Sequence, residues 1–317
     1  MKLRNKHKDL VLSVTNRCDL HCPHCIRGGS TPDDIPLNLL NKVLKQSKRF
    51  NFNYLRITGG EPHLHPQFDK VIESVLRHGF RYNFITNGQN YIKYADLIVN
   101  SGNALDRVAV SLDDITNKSG DLVRADSMPG KAMDAIRFFR LLGKDTVVST
   151  LLCERNLEQV KDLLSFCSLI GVSEVWLGGL LPGGSREGDI DISRRDKVVK
   201  HIYKIANQLG IKVFFAVTFV PMKKSGHCMN VKRPQFHILP TGEVSFCCNF
   251  VGKGVVVGNL KDKSFPELYQ LVSEQAAKVF REKHNMMKNK TPKLQGWGTI
   301  TDCDFCHSLL SNQIKSY

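Results

Sequence analysis

The sequence predicts an α/β protein built on a parallel sheet, closed or partly closed into a barrel, with a smaller α+β unit behind it. Two observations predict this. Short, partly β-branched apolar runs alternate with segments of 3.6-residue periodicity through the first two thirds of the chain, and repeated βα units favour a parallel sheet. That rhythm stops near residue 220, and 317 residues leave room for a large α/β unit plus an appendage. We place the division at 1–220 and 221–317.

The elements follow in order. The apolar run 10–14 reads as the first strand, and Leu37, Leu40 and Leu44 share one face of the helix behind it. Strands are predicted at 54–58, 81–86, 107–112, 146–152 and 174–177, six with the first. Between them lie the stripes Val71, Val75, His78; Ala132, Ile136, Phe139; and Leu157, Val160, Leu164, Cys167. A helix over 194–209 and a strand over 213–219 follow. A hairpin is expected from 235–239 and 243–246 around Pro240-Thr241-Gly242, then a helix over 266–282 and a loop over 288–298.

Apolar residues make up 42% of the chain and charged residues 24%, ordinary for a soluble globular protein. No run of eighteen apolar residues occurs and the N-terminus has no signal-like stretch, so a cytoplasmic location and no membrane partner are expected. Ten cysteines in such a chain point to metal or redox chemistry rather than disulfides. The net charge of +15 gathers at Lys2, Arg4, Lys6 and Lys8 and at Arg281, Lys283, Lys288, Lys290 and Lys293. Such a surface attracts acidic peptides, phosphorylated sugars or nucleic acid, or simply keeps the protein soluble. No aromatic-interleaved signature accompanies the charge, and nucleic acid is not an expected partner.

Directly after the first strand stands Cys18-Asp19-Leu20-His21-Cys22-Pro23-His24-Cys25. Three thiolates share one short loop, whereas an iron–sulfur cube normally takes four cysteines. Three leave one iron open to bind something else. Half of a zinc ribbon is the competing reading. The motif, His24 included, resembles the radical S-adenosylmethionine (SAM) superfamily. The resemblance implies a partial (β/α)6 TIM-like barrel and a 4Fe-4S cluster on Cys18, Cys22 and Cys25. In that family the open iron binds SAM, whose C–S cleavage yields a 5′-deoxyadenosyl radical.

Further strand ends match the family pattern. Thr58-Gly59-Gly60-Glu61-Pro62 resembles the GGEP motif that holds the SAM amino group, which makes Gly59, Gly60 and Glu61 candidate cofactor-binding residues. Thr86-Asn87-Gly88 and Ser111-Leu112-Asp113-Asp114 resemble segments that contact the SAM ribose and carboxylate, adding Thr86, Asn87, Ser111 and Asp113. Ordinary turn chemistry is the alternative for each. Arg124 and Asn156 resemble further recurring positions, and Leu181-Pro182-Gly183-Gly184 resembles a loop near the adenine.

A second cysteine set, Cys228, Cys247, Cys303 and Cys306, with Gly242 before Cys247, resembles the twitch domain, a short relative of the SPASM domain. The resemblance implies four thiolates closing an auxiliary 4Fe-4S cluster, while a structural zinc site fits the same donors. Cys248 follows a candidate ligand and is a candidate catalytic hydrogen-atom donor, a small hydrophobe, or the ligand in place of Cys247. Cys167 reads as core packing, and Cys153 as a residue facing or filling the barrel mouth.

The expected function is a radical SAM enzyme that abstracts hydrogen from a substrate carbon. The first reading is epimerisation or cross-linking of a ribosomally synthesised peptide. Its alternatives are a dehydrogenase for a small alcohol of the aminocyclitol type and, from another class, a zinc-stabilised nucleic-acid-binding protein. The expected cofactors are the SAM-binding 4Fe-4S cluster, the auxiliary 4Fe-4S cluster and SAM, with flavodoxin or ferredoxin as electron donor. The first strand lies so near residue 1 that a peptide is expected to bind the barrel itself or to arrive with a separate partner.

Overall fold

Leu10, Val11 and Leu12 are all buried in β1 (Lys8–Ser13), so this strand is covered on both faces, as in a parallel sheet sandwiched by helices. The fold is seen in a computed structural model, which describes residues 8–116, 128–181, 184–221, 228, 235–247, 249, 255–289 and 301–314.

From β1 the chain alternates through α1 (Leu37–Lys48), β2 (Phe52–Thr58), α2 (Phe68–Arg77), β3 (Arg81–Thr86), α3 (Ala95–Ser101) and β4 (Leu105–Ser111). It continues with α4 (Pro129–Leu141), β5 (Asp145–Leu151), α5 (Val160–Leu169), β6 (Glu174–Gly178), α6 (Ile192–Leu209) and β7 (Val213–Phe215). Each strand from β1 to β7 pairs in parallel with the next, which puts all their C-terminal ends on one rim. The helices turn their apolar stripes to the sheet: Leu40, Val43 and Leu44 of α1, Val71 and Val75 of α2, Ala132, Ile136 and Phe139 of α4, and Val160, Leu164 and Cys167 of α5 are buried. The architecture is the expected partial TIM-like barrel with a C-terminal α+β unit.

Three differences from the sequence reading have physical causes. β7 ends at Phe215, because Phe219 N–H bonds back to the Ala216 carbonyl in a turn, and its parallel pairing with β6 continues the rhythm past the sixth strand. The hairpin of β8 (Phe236–Ile238) and β9 (Glu243–Ser245) joins the same sheet, since β8 pairs in parallel with β1. β10 (Gly258–Asn259) completes the order β10-β9-β8-β1-β2-β3-β4-β5-β6-β7. The last long helix, α7 (Phe265–Asn289), starts from a Ser264–Glu267 capping box and includes Lys288, which the sequence placed in a loop. Residues 290–298 of that loop lie outside the described residues.

Aromatic packing fastens the C-terminal part to the barrel. Phe265 of α7 lies 4.6 Å from Phe236 of β8 and 5.9 Å, edge-on, from Phe52 of β2, measured between ring centroids. The described residues end on α8 (Asp302–Ile314). Among the described residues no helix is long and apolar enough to cross a membrane.

Candidate cluster and cofactor site

The loop that follows β1 folds over the strand-end rim. Its turn is closed by the Cys25 N–H bonding to the Cys22 carbonyl at 3.0 Å, and its start is held by the Cys18 N–H bonding to Ser30 Oγ at 2.9 Å. Cys18, Cys22 and Cys25 are of intermediate exposure. They line a cavity of about 650 Å³ whose other walls include Gly59, Gly60, Glu61, Thr86, Asn87 and Ser111. A cavity of that size accommodates a drug-sized ligand.

Gly59 and Gly60 are glycine for a reason visible in the packing. The Gly60 N–H bonds to the Thr15 carbonyl and the Glu61 N–H to the Arg17 carbonyl, both at 2.7 Å. A Cβ on Gly60 would sit 2.1 Å from the Arg17 oxygen, and one on Gly59 2.5 Å from the Thr15 oxygen. The pair therefore lets the β2 end dock on the base of the cysteine loop.

Beneath this junction the Glu61 carboxylate collects donors. It accepts from Thr86 Oγ1 at 2.8 Å, from the Asn87 N–H at 2.7 Å and from the Tyr94 hydroxyl, and His63 Nδ1 lies 3.1 Å away. Asp19, next to Cys18, accepts from Asn87 Nδ2 and Asn90 Nδ2, both at 2.7 Å. The cysteine loop, the β2 end and the β3 end are thus stitched into one rim. Burial together with the Glu61 carboxylate pushes the Tyr94 phenol well above its ordinary value, so it donates as a neutral hydroxyl.

On the barrel's inner side Ser13 Oγ lies 2.9 Å from His237 Nε2 and accepts from Arg27 Nη2 at 3.0 Å. Burial, reinforced by the Arg27 charge, lowers His237 to about 3, so its ring is neutral. Arg27 also lines the cavity. The C-terminal hairpin thereby supports the floor of the N-terminal site.

Not every candidate residue reaches the cavity. Asp113 is buried and accepts the Leu151 N–H at 2.7 Å. Asn156 is also buried; its amide donates to the Asp113 and Leu151 carbonyls and accepts the Cys153 N–H. Both act on the rim from behind. Cys153 fills a small apolar contact with Leu180, and Cys167 is in the core. Arg124, Pro182, Gly183 and Cys248 lie outside the described residues. Tyr94, Asp19, Asn90, Arg27 and His237 were missed in the sequence, since nothing local marks a tyrosine or histidine whose partner is a strand away.

The second set sits in another environment. Cys228, Cys247, Cys303 and Cys306 are all buried. A pairing of Pro221 with Thr301 brings the chain before Cys228 beside the start of α8, and Asn249 Nδ2 lies 3.3 Å from Cys303 Sγ. Thr301 caps α8: its N–H and hydroxyl donate to the Asp304 carboxylate, and the Asp304 N–H returns to Thr301 Oγ1. That box starts the helix so that Cys303 and Cys306, three apart, share a face.

Both donor sets have the chemistry of iron–sulfur ligands, although among the described residues no three such side chains are drawn into one metal-holding group. The first offers three thiols beside a cavity, and the second offers four that are buried. Burial pushes the Cys18 thiol up to about 11.

Comparison with known proteins agrees. The radical SAM superfamily matches residues 12–167, and the SPASM iron–sulfur cluster-binding domain matches 228–306. A probable GTP 3′,8-cyclase of Methanocaldococcus jannaschii is 26% identical over 259 residues, covering 73% of this chain and 82% of that protein. Mycofactocin maturase MftC of Mycobacterium tuberculosis is 24% identical, covering 86% of this chain and 71% of that one. Streptococcus suis SuiB bound to precursor peptide SuiA superposes with a TM-score of 0.71 at 16% identity over 83% of this chain. The match spans 64% of SuiB, a little under two thirds of its length. Native anSMEcpe with bound AdoMet gives a TM-score of 0.68 at 17% identity, covering 86% and 83%. At such identities the superpositions show the fold. The barrel and the C-terminal cysteines each carry their own family match, so the chain is a radical SAM superfamily enzyme with a SPASM iron–sulfur domain, and 4Fe-4S clusters and SAM are its cofactors.

Proposed function

We propose that this enzyme modifies a ribosomally synthesised peptide, by epimerisation or cross-linking, after hydrogen abstraction from an unactivated carbon. In this reading residues 1–220 form the radical-generating unit and 221–317 the auxiliary-cluster unit. Cys18, Cys22 and Cys25 hold the first cluster, and Cys228, Cys247, Cys303 and Cys306 the second. The group that Cys18, Cys22 and Cys25 would hold would supply the one electron needed to cleave the C–S bond of SAM to methionine and a 5′-deoxyadenosyl radical. The chain's own residues bind and orient: Gly59 and Gly60 present backbone to the SAM amino group, while Thr86, Asn87 and Ser111 line the wall facing it. Glu61 fixes the rim from beneath, and Asp113 and Asn156 brace it from behind.

The observation that carries the radical reading is the one cavity shared by three thiols and four strand ends. The peptide reading is supported by two similar proteins, the maturase MftC and SuiB, which is bound to precursor peptide SuiA. The probable GTP 3′,8-cyclase among the relatives favours a second reading, a small-molecule substrate. An alcohol of the aminocyclitol type belongs to this class too. Cys248 is the proposed hydrogen-atom donor in the epimerase form.

The test is anaerobic turnover with SAM and a reductant, using flavodoxin or ferredoxin as physiological donors. Wild type is expected to form 5′-deoxyadenosine stoichiometrically with modified peptide, and epimerisation in D2O adds one deuteron per event. Cys248→Ala should keep 5′-deoxyadenosine formation and lose deuterium incorporation. Stimulation by small alcohols or nucleotides, with none by peptides encoded beside the gene, would reject the peptide reading.

A further inference from the structure

Lys283 reads in the sequence as one of a run of solvated basic residues, but the structure buries it. Its side chain on α7 is 2% exposed, and its ammonium donates to the Asp302 carboxylate, itself 3% exposed, on the first turn of α8. Asp302 immediately precedes Cys303, and Cys306 lies one turn on. A charged pair has been placed inside the protein, beside the turn that carries Cys303 and Cys306.

Such a pair is a poor way to hold two helices together. Removing two charges from water costs about as much as their attraction returns, and an apolar pair of similar volume often does better. Val279 on α7 and Phe305 and Leu310 on α8 already supply buried apolar contacts there. What an ion pair adds is a fixed local field. Asp302 directly precedes Cys303 in the chain, and Lys283 reaches it from the neighbouring helix. Iron–sulfur potentials respond to net charge, hydrogen bonds to sulfur and exposure, and groups just outside the ligands tune a metal site.

We propose that the Lys283–Asp302 pair sets the reduction potential of the auxiliary cluster, the ammonium raising it and the carboxylate lowering it. This rests on the reading that Cys228, Cys247, Cys303 and Cys306 hold that cluster. Both side chains are positioning residues that touch neither substrate nor SAM.

The experiment uses the full chain carrying Cys18→Ala, Cys22→Ala and Cys25→Ala, so that only the auxiliary cluster remains. Iron content and an EPR-monitored redox titration at pH 8 are measured for this parent, Lys283→Met, Asp302→Asn and the double variant. The expected order of potentials, lowest first, is Lys283→Met, parent, double variant, Asp302→Asn. The double variant stands above the parent because Asp302 is the immediate chain neighbour of Cys303, whereas Lys283 is on another helix and reaches the site through Asp302. Each single change should alter the reduced-to-oxidised ratio at fixed potential by about tenfold, or ~59 mV for a one-electron couple. If a lone buried charge prevents folding of a single variant, the double variant removes both charges together and still must lie above the parent. Single variants that shift together or not at all, or a double variant at or below the parent, would overturn the inference while leaving the cluster assignment intact. A parent without iron would overturn the assignment, and the inference with it.

Discussion

The two cysteine sets differ most in what surrounds them. Cys18, Cys22 and Cys25 are partly exposed and share a cavity with four strand ends, whereas Cys228, Cys247, Cys303 and Cys306 are buried, with the Lys283–Asp302 pair beside Cys303. Three donors beside open space make a site where a ligand can join the metal. Four cysteines complete the ligand set of an iron–sulfur cube, which suits passing electrons or holding structure. The difference lies in chain topology: the first set sits on a loop over the rim of a parallel sheet, where barrel enzymes place their chemistry. The second is gathered from a segment, a hairpin and a helix start.

The largest effect should come from removing the first set. Replacing Cys18, Cys22 and Cys25 by alanine is expected to abolish 5′-deoxyadenosine formation and remove about four of the ~8 irons two cubanes would bring. Replacing Cys303 and Cys306 should remove a similar share of iron yet leave SAM binding at the barrel. Iron analysis with isothermal titration of SAM separates the two. Equal loss of SAM binding in both variants would erase the distinction between an open and a closed site.

Next is the rim itself. Glu61 accepts from Thr86, Asn87 and Tyr94, so Glu61→Gln turns an amide N–H₂ towards groups that already donate. Hydrogen bonds to charged groups contribute about 1.5–3 kcal/mol each, and a loss of about 3 kcal/mol in urea unfolding is expected. Tyr94→Phe, which removes one donor but leaves the carboxylate two others, should lose about half as much. Unchanged stability in both would show that the β2 and β3 ends are held elsewhere.

How much of this was legible depended on how local each cause is. The six strands and four stripes were read from residues a few positions apart, and the cysteine loop from eight consecutive residues. The partnership of β8 with β1 was not, because the pairing of Val11 with His237 spans most of the chain and leaves no periodic mark on a three-residue strand. Lys283 misled for a similar reason: its neighbours in sequence are basic, but its partner in space, Asp302, is on another helix. Gly60 was legible as a motif, though the reason for it, the Arg17 carbonyl 2.1 Å from where a Cβ would stand, is tertiary.

His237 gives a smaller, pH-dependent test of the link between the two regions. Its pKa falls from 6.5 to about 3 on folding. Below pH 6.5 the unfolded chain takes up a proton that the folded chain refuses, so stability falls as pH drops from 6.5 towards 3. The slope approaches 1.4 kcal/mol per pH unit, or about 2 kcal/mol between pH 7 and pH 5. His237→Gln should flatten that part of the profile relative to wild type. Parallel profiles would mean that the ring is not shut off from solvent.

The smallest effect is expected where the regions touch at the surface. The segment after β6 reaches both sites: the Ser185 N–H bonds to the Pro23 carbonyl at 3.2 Å, and Arg186 pairs with Asp304 of α8 at 2.8 Å. The Arg186 side chain is 40% exposed, and ion pairs of this kind contribute about 0.2–1 kcal/mol. Arg186→Gln should therefore lower stability by about 0.5 kcal/mol in urea unfolding, with iron content unchanged. The buried joints already described, β8 against β1 and Phe265 against Phe52, would carry the rest. A loss above about 2 kcal/mol would place the junction at Arg186 instead, and would make the segment after β6 the part that sets the distance between the two sites.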